Sequence, residues 1–171
     1  MASGDIVAII HEVMFPGANP ATPDVRVGGS TPAESFSVYD FDATTDEMLD
    51  FKCTLWFYDS GGLTVPVAWA ASSATSGNTV WQAAIRRIQD DAEDMDSSHT
   101  YDYNSSGQCT APSASGELSY DNITFTDGAD MDSVADGEAF ILRLRRDADS
   151  TSATDDMTGD AEFFSLVITE T

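Results

Sequence analysis

Positive charge is what this chain lacks most: lysine and arginine supply seven residues against thirty acids, for a formal net charge of −23. Lys52 is the only lysine, and the nearest thing to a basic cluster is Arg143, Arg145 and Arg146. Recognition of phosphate needs clustered Lys/Arg, so nucleic acid is excluded as a direct partner. Long apolar runs are absent too. Ile6 to Ile10 and Phe163 to Ile168 fall far short of the roughly 20 residues of a transmembrane helix, and no charged N-terminal segment leads into an apolar core. Neither a membrane partner nor an export signal is expected. The only cysteines, Cys53 and Cys109, have no metal-ligand spacing. Two free thiols, one in a strand and one in a polar loop, are therefore favoured over a zinc site or a disulfide. The two histidines, His11 and His99, have no evident catalytic partner. No Gly-x-Ser-x-Gly elbow, phosphate-binding glycine loop or His-Glu-x-x-His pattern occurs. No catalytic residue is singled out, and an enzyme is not expected.

What is present is a chain of 171 residues that is 42% hydrophobic and 10% aromatic, too apolar for a disordered acidic tail and the right length for one domain. Aspartate far outnumbers glutamate and arginine outnumbers lysine, which suggests halophily. At molar salt the Debye length falls to about 3 Å and the mutual repulsion of so many carboxylates is screened.

Apolar residues recur with period two. Glu34 to Asp40 alternates through Phe36 and Val38, and Glu47 to Tyr58 carries Leu49, Phe51, Cys53, Leu55 and Phe57 on one face. Leu63 to Ala71 carries Leu63, Val65, Val67 and Trp69, with Pro66 implying an edge position or a bulge. Thr79 to Gln89, Leu118 to Thr126, Glu138 to Arg146 and Ala161 to Thr169 continue the pattern, the last looking apolar on both faces. Asp5 to His11 reads as a short strand. The fold expected is all-β: an antiparallel β-sandwich of about eight strands, of jelly-roll type, with a long acidic loop insertion and an extended N-terminal arm. Residues 1–33 form the strand and Pro/Gly-rich arm, and residues 34–171 the sandwich domain. Its insertion runs over about 90–118, where a short helix near Asp91 to Asp96 is possible.

The acidic loops offer oxygen ligands but no EF-hand spacing, so no cofactor is expected beyond a structural Ca²⁺ or Mg²⁺. Asp147, Asp149, Asp155, Asp156 and Asp160 form the best cluster for one. Trp56, Trp69 and Trp81 read as core. Tyr101 and Tyr103, in the long loop, are left as a host-contact site. Phe15, Pro16, Pro20, Pro23, Val25 and Pro32 are the interface candidates of the arm, because extended segments and sheet edges are ready partners for strand addition.

Tyr39-Asp40-Phe41-Asp42 with Asp46-Glu47, then Ala68-Trp69-Ala70-Ala71-Ser72-Ser73-Ala74-Thr75-Ser76-Gly77 with Val80-Trp81, resembles small β-sandwich structural proteins of tailed phages and archaeal tailed viruses, of the head decoration or cement kind. Phe140 to Asp149 and Thr158-Gly159-Asp160-Ala161 extend the likeness, which covers most of residues 38–169 and leaves out the arm and the loop at 90–119. The resemblance implies a virion structural protein on the outer surface of a capsid, stabilising the shell through inter-subunit contacts. Its partners would be the major capsid protein and copies of itself in a homo-trimer or other symmetric cluster, and it brings no catalytic residues. The charge agrees with an external place, since packaged DNA would repel it. The alternative is a turret, spike or tail module that binds host glycans.

Overall fold

Each run of period-two alternation forms a strand over most of its length, although the run at 47–58 stops at Leu55. The computed structural model describes residues 2–31 and 33–171. Its strands are β1 (Ala8–Met14), β2 (Thr22–Gly28), β3 (Glu34–Phe41), β4 (Met48–Leu55), β5 (Leu63–Ala71), β6 (Asn78–Ile88), β7 (Asn104–Thr110), β8 (Leu118–Phe125), β9 (Ala139–Arg146), β10 (Ala161–Leu166) and β11 (Thr169–Glu170). Among the described residues the one helical element is a 3₁₀ turn, Ala129–Met131, and the helix considered at 91–96 is a run of turns. Among the described residues no helix is long and apolar enough to cross a membrane.

The strands form two antiparallel sheets. One has the order β1-β4-β9-β6-β7. In the other, β5 is flanked by β8 on one edge and by β10 and β11 end to end on the opposite edge, followed by β3 and β2. We call the second the open sheet. Pro66 therefore lies in a central strand, where the sequence suggested an edge or a bulge. It is tolerated because the β5 ladder lapses between Leu166↔Val67 and Thr169↔Thr64, so its missing N–H falls where no partner is paired. A bulge at Phe164 precedes the lapse.

The two sheets close on a core in which facing residues meet across the sandwich. Trp69 of β5 stacks edge-on to Trp81 of β6 at 6.1 Å, Phe41 meets Trp81 at 5.0 Å, and Phe163 meets Phe51 at 5.6 Å. Each such fully buried apolar side chain contributes about 1.5–3 kcal/mol relative to exposure. Trp56, read as core, is instead half exposed beside Phe57, because β4 ends at Leu55. At the far end of β9, Arg146 points inward and is wholly buried against Asp155. Its guanidinium also donates to the carbonyls of Phe41, Met157 and Gly159, and Asp155 accepts further from Thr79 Oγ1 and Val80 N. This network fastens the loop after β9 to the core. Gly77, at φ +91°, completes the anchorage, since a Cβ there would lie 2.8 Å from Met157 Cα.

Eleven strands among the described residues, rather than about eight, arise because two segments were not read as strands and the last run divides in two. The Pro-rich segment holds β2, which pairs in full register with β3 as an edge strand, the position where Pro23 is tolerated. Residues 4–7 are tied to the C-terminal strand by Val7 N to Ile168 O and Gly4 N to Glu170 O, and β1 pairs β4. Residues 1–33 thus contribute to both sheets, with Val7 and Ala21 in the core. The acidic loop holds β7, the polar edge of its sheet, and the last run breaks into β10 and β11. That last run has three consecutive buried residues at 161–163, but Phe164 and Val167 are substantially exposed.

Candidate interaction surface

The outward rows of the two sheets carry different chemistry. In β3 the outward row is Glu34, Phe36, Val38 and Asp40, with Tyr39 and Phe41 turned inward. Register places Asp24 and Arg26 of β2, Glu162 of β10, Ala68 and Ala70 of β5, and Leu118 and Tyr120 of β8 on the same outer face. Two alanines on the central strand leave a dip, and larger side chains on the flanking strands wall it. Val38 and Ala70 form a buried floor, while Phe36 and Phe164 are 40% exposed and Leu118 is 42% exposed. The rings of Phe36 and Phe164 meet edge-on at 6.3 Å. The result is an apolar groove of about 320 Å³.

Arg26 closes one end of this groove. Its Nε donates to Glu162 Oε2 at 2.6 Å, and its Nη2 donates to the carbonyls of Ala71 and Ser72 and to Ser115 Oγ. Gly116, at φ +82°, lets the 113–117 loop lie against the guanidinium, where a Cβ would be 2.6 Å from Nη1. Beyond Arg26 the carboxylates of Asp24, Asp40 and Glu162 bring oxygens within 4.8 Å of one another. Asp40 Oδ1 is buried without a hydrogen-bond partner. Desolvation, and then the charges of Asp24, Glu162, Asp160 and Glu47, push the Asp40 carboxyl up to about 6.

The other sheet's outer face is covered by the chain's own acidic loop. Tyr101 lies under the Arg143 guanidinium at 4.1 Å and Tyr103 under that of Arg145 at 3.9 Å. Arg143 forms a two-pronged pair with Asp50, both bonds at 2.7 Å, Arg145 pairs with Asp46 at 3.1 Å, and Arg86 donates to the carbonyls of Asp94 and Ser97. Guanidinium over a tyrosine face is a favourable cation–π contact. The two tyrosines considered for host contact are consequently half buried in an intramolecular stack, which also holds His99 edge-on to Tyr101. His11 bonds Thr54 Oγ1 at 2.8 Å on an exposed strand.

The five aspartates considered for a cation divide between separate places, with Asp147 and Asp149 together. Asp155 belongs to the buried pair with Arg146, and Asp156 accepts from Asn78 N at 2.7 Å. Asp147 is buried and closes its own loop. Burial works against its charge, but hydrogen bonds from the Ser152 and Thr151 hydroxyls and backbone hold its carboxyl down at about 2. Asp147 and Asp149 gather with Asp46, which the sequence reading did not single out, while Asp160 faces Asp40 across the sheet end. Of the arm candidates, Phe15 packs on Tyr39 at 5.8 Å, Pro16 is half buried, Pro20 bridges Met48, Pro23 pairs with Tyr39, and Val25 is exposed opposite Ser37. Pro32 lies outside the described residues. Both cysteines are free and buried, Cys109 in β7 rather than in a loop. Comparison with known proteins finds no matching family model and no matching curated relative.

The groove was not singled out from sequence. Its signal was there in β3 and β10, whose two alternate rows are both apolar, a pattern that asks what covers the second row.

Proposed function

We propose that this chain is a virion structural protein of the head-decoration or cement kind, a jelly-roll sandwich that docks on a capsid through a sheet face and works in concentrated salt. The jelly-roll reading is supported by β3 to β10: four of these strands lie in the order β3-β10-β5-β8 and the other four in the order β4-β9-β6-β7, two interleaved Greek keys. The observation that carries the functional reading is the inequality of the two outer faces. One is covered at its centre by the chain's own loop, and the other presents an apolar groove to solvent. A contiguous exposed apolar face rimmed by charge suits recognition of another protein's surface. A surplus of 30 acids over seven cations keeps such a face from packaged nucleic acid.

The test is co-sedimentation of the full chain with undecorated capsids of the virus that encodes it, in molar salt, counting bound copies. Saturable binding at many copies per capsid is expected. Binding at a few copies, or none, would overturn the decoration role. Deletion of residues 1–32 is not a usable control, because it removes β1, β2 and two core side chains.

A further inference from the structure

Every side-chain cation of this protein is already engaged within the chain. Arg26, Lys52, Arg87, Arg143, Arg145 and Arg146 pair with Glu162, Glu12, Glu138, Asp50, Asp46 and Asp155. The seventh, Arg86, donates to two loop carbonyls. The groove on the open sheet is lined by Phe36, Val38, Phe164 and one acid, Glu162, which brings a carboxylate oxygen within 4.8 Å of those of Asp24 and Asp40. A second copy of this chain has no free cation to bring to that rim and adds its own negative charge, so self-association through this face is electrostatically disfavoured.

We propose that the groove receives a segment of a different protein, a short run of apolar side chains flanked by lysine or arginine, whose cation docks on the Asp24–Asp40–Glu162 carboxylates. The apolar part fills the groove over Val38 and Ala70. The cation faces Asp24 and Asp40 and relieves the repulsion among three crowded carboxylates, of which Arg26 satisfies only Glu162. Burial of a charge-assisted hydrogen bond at such a site is stronger than a neutral one. The inference rests on the reading of this face as a docking surface and names the chemistry of the partner.

The probes are two end-blocked pentapeptides, Arg-Leu-Phe-Leu-Arg and Glu-Leu-Phe-Leu-Glu, titrated into the full chain while its amide chemical shifts are followed in about 1 M salt, where only contact-range charge survives screening. The arginine peptide is expected to shift Phe36, Val38, Ala70, Leu118 and Phe164, to bind at least about tenfold more tightly than the glutamate peptide, and to lose about tenfold when Asp24→Asn and Asp40→Asn are combined. Phe36→Ser with Phe164→Ser should abolish binding, and amide shifts unchanged away from the groove would show that the sandwich of this variant stays folded. Equal affinity for the two peptides, or no binding of either at millimolar concentration, would overturn the proposal. Capsid co-sedimentation of the serine variant separates the two readings. Unchanged decoration with no peptide binding sinks this inference alone, whereas peptide binding with no decoration of wild-type capsids sinks the decoration role alone.

Discussion

Replacing Asp40 by asparagine should make this protein more stable at neutral pH and leave it unchanged in acid. The carboxyl is partly buried with one oxygen unpartnered, and neighbouring acids raise it from an ordinary 3.8 to about 6. Between those values the folded chain keeps a proton that the unfolded chain has released, so stability falls as pH rises through the window and stays low above it. The gap corresponds to a ceiling of roughly 3 kcal/mol. Asp40 is far from fully buried, and solvent screening reduces the expected gain for the asparagine variant to about 1 kcal/mol. For a domain of this size that is a rise in Tm of about 2–4 °C. Thermal unfolding of both proteins by circular dichroism, from about pH 4 to pH 8, gives the difference directly. It should be near zero at the acid end and reach its full value above neutrality. An asparagine variant that melts lower than wild type at pH 8 would refute the argument. So would a gain of equal size at every pH, which would assign the effect to a new amide hydrogen bond rather than to relieved charge.

Arg146→Ala leaves Asp155 as an unpaired charge in the core and should cost about 3–5 kcal/mol, a drop in Tm of roughly 10 °C; a change of a degree or two would mean that water reaches the pair. Phe57 sits at φ 57° on an exposed turn, a conformation glycine adopts without strain. Phe57→Gly should therefore gain about 1 kcal/mol in a denaturant titration, and a loss would show that its ring packs usefully on Trp56. Burial pushes both Cys53 and Cys109 up to about 12, so neither should react with an aromatic disulfide reagent near neutral pH until the chain unfolds. A thiol released at once in native conditions would contradict the burial.

Strands whose apolar residues alternate with polar ones were legible from sequence, including which row faces inward: Leu49, Phe51, Cys53 and Leu55 of β4 are all buried. Alternation could not orient β3, because Phe36 and Val38 on one row compete with Tyr39 and Phe41 on the other. The outcome depends on packing against Trp81 and Phe163, which no local pattern encodes. β7 was invisible for the opposite reason. Its residues are almost all polar, and it is held as an edge strand by pairing with β6 and by one buried thiol. The candidate site was hidden with β3, since its floor is made by Val38 and by Ala70 of β5, a residue that matters only once β8 and β10 stand beside it.

The inequality of the two faces follows from where the arginines fall. Arg143 and Arg145 lie on the outward row of β9, the centre of their sheet, and each offers a flat cation that can pair a neighbouring aspartate and still present its face to an aromatic ring. The acidic loop supplies those rings, and its excess charge is tolerated there because the arginines beneath it offset part of the repulsion. The open sheet has a single outward arginine, Arg26, and that one is spent on Glu162 and the 113–117 loop. No cation remains on that face to draw an acidic loop over it. A chain so short of positive charge can cover one of its sheets from its own sequence but not both, and the sheet left open is the one that needs its cation from another molecule.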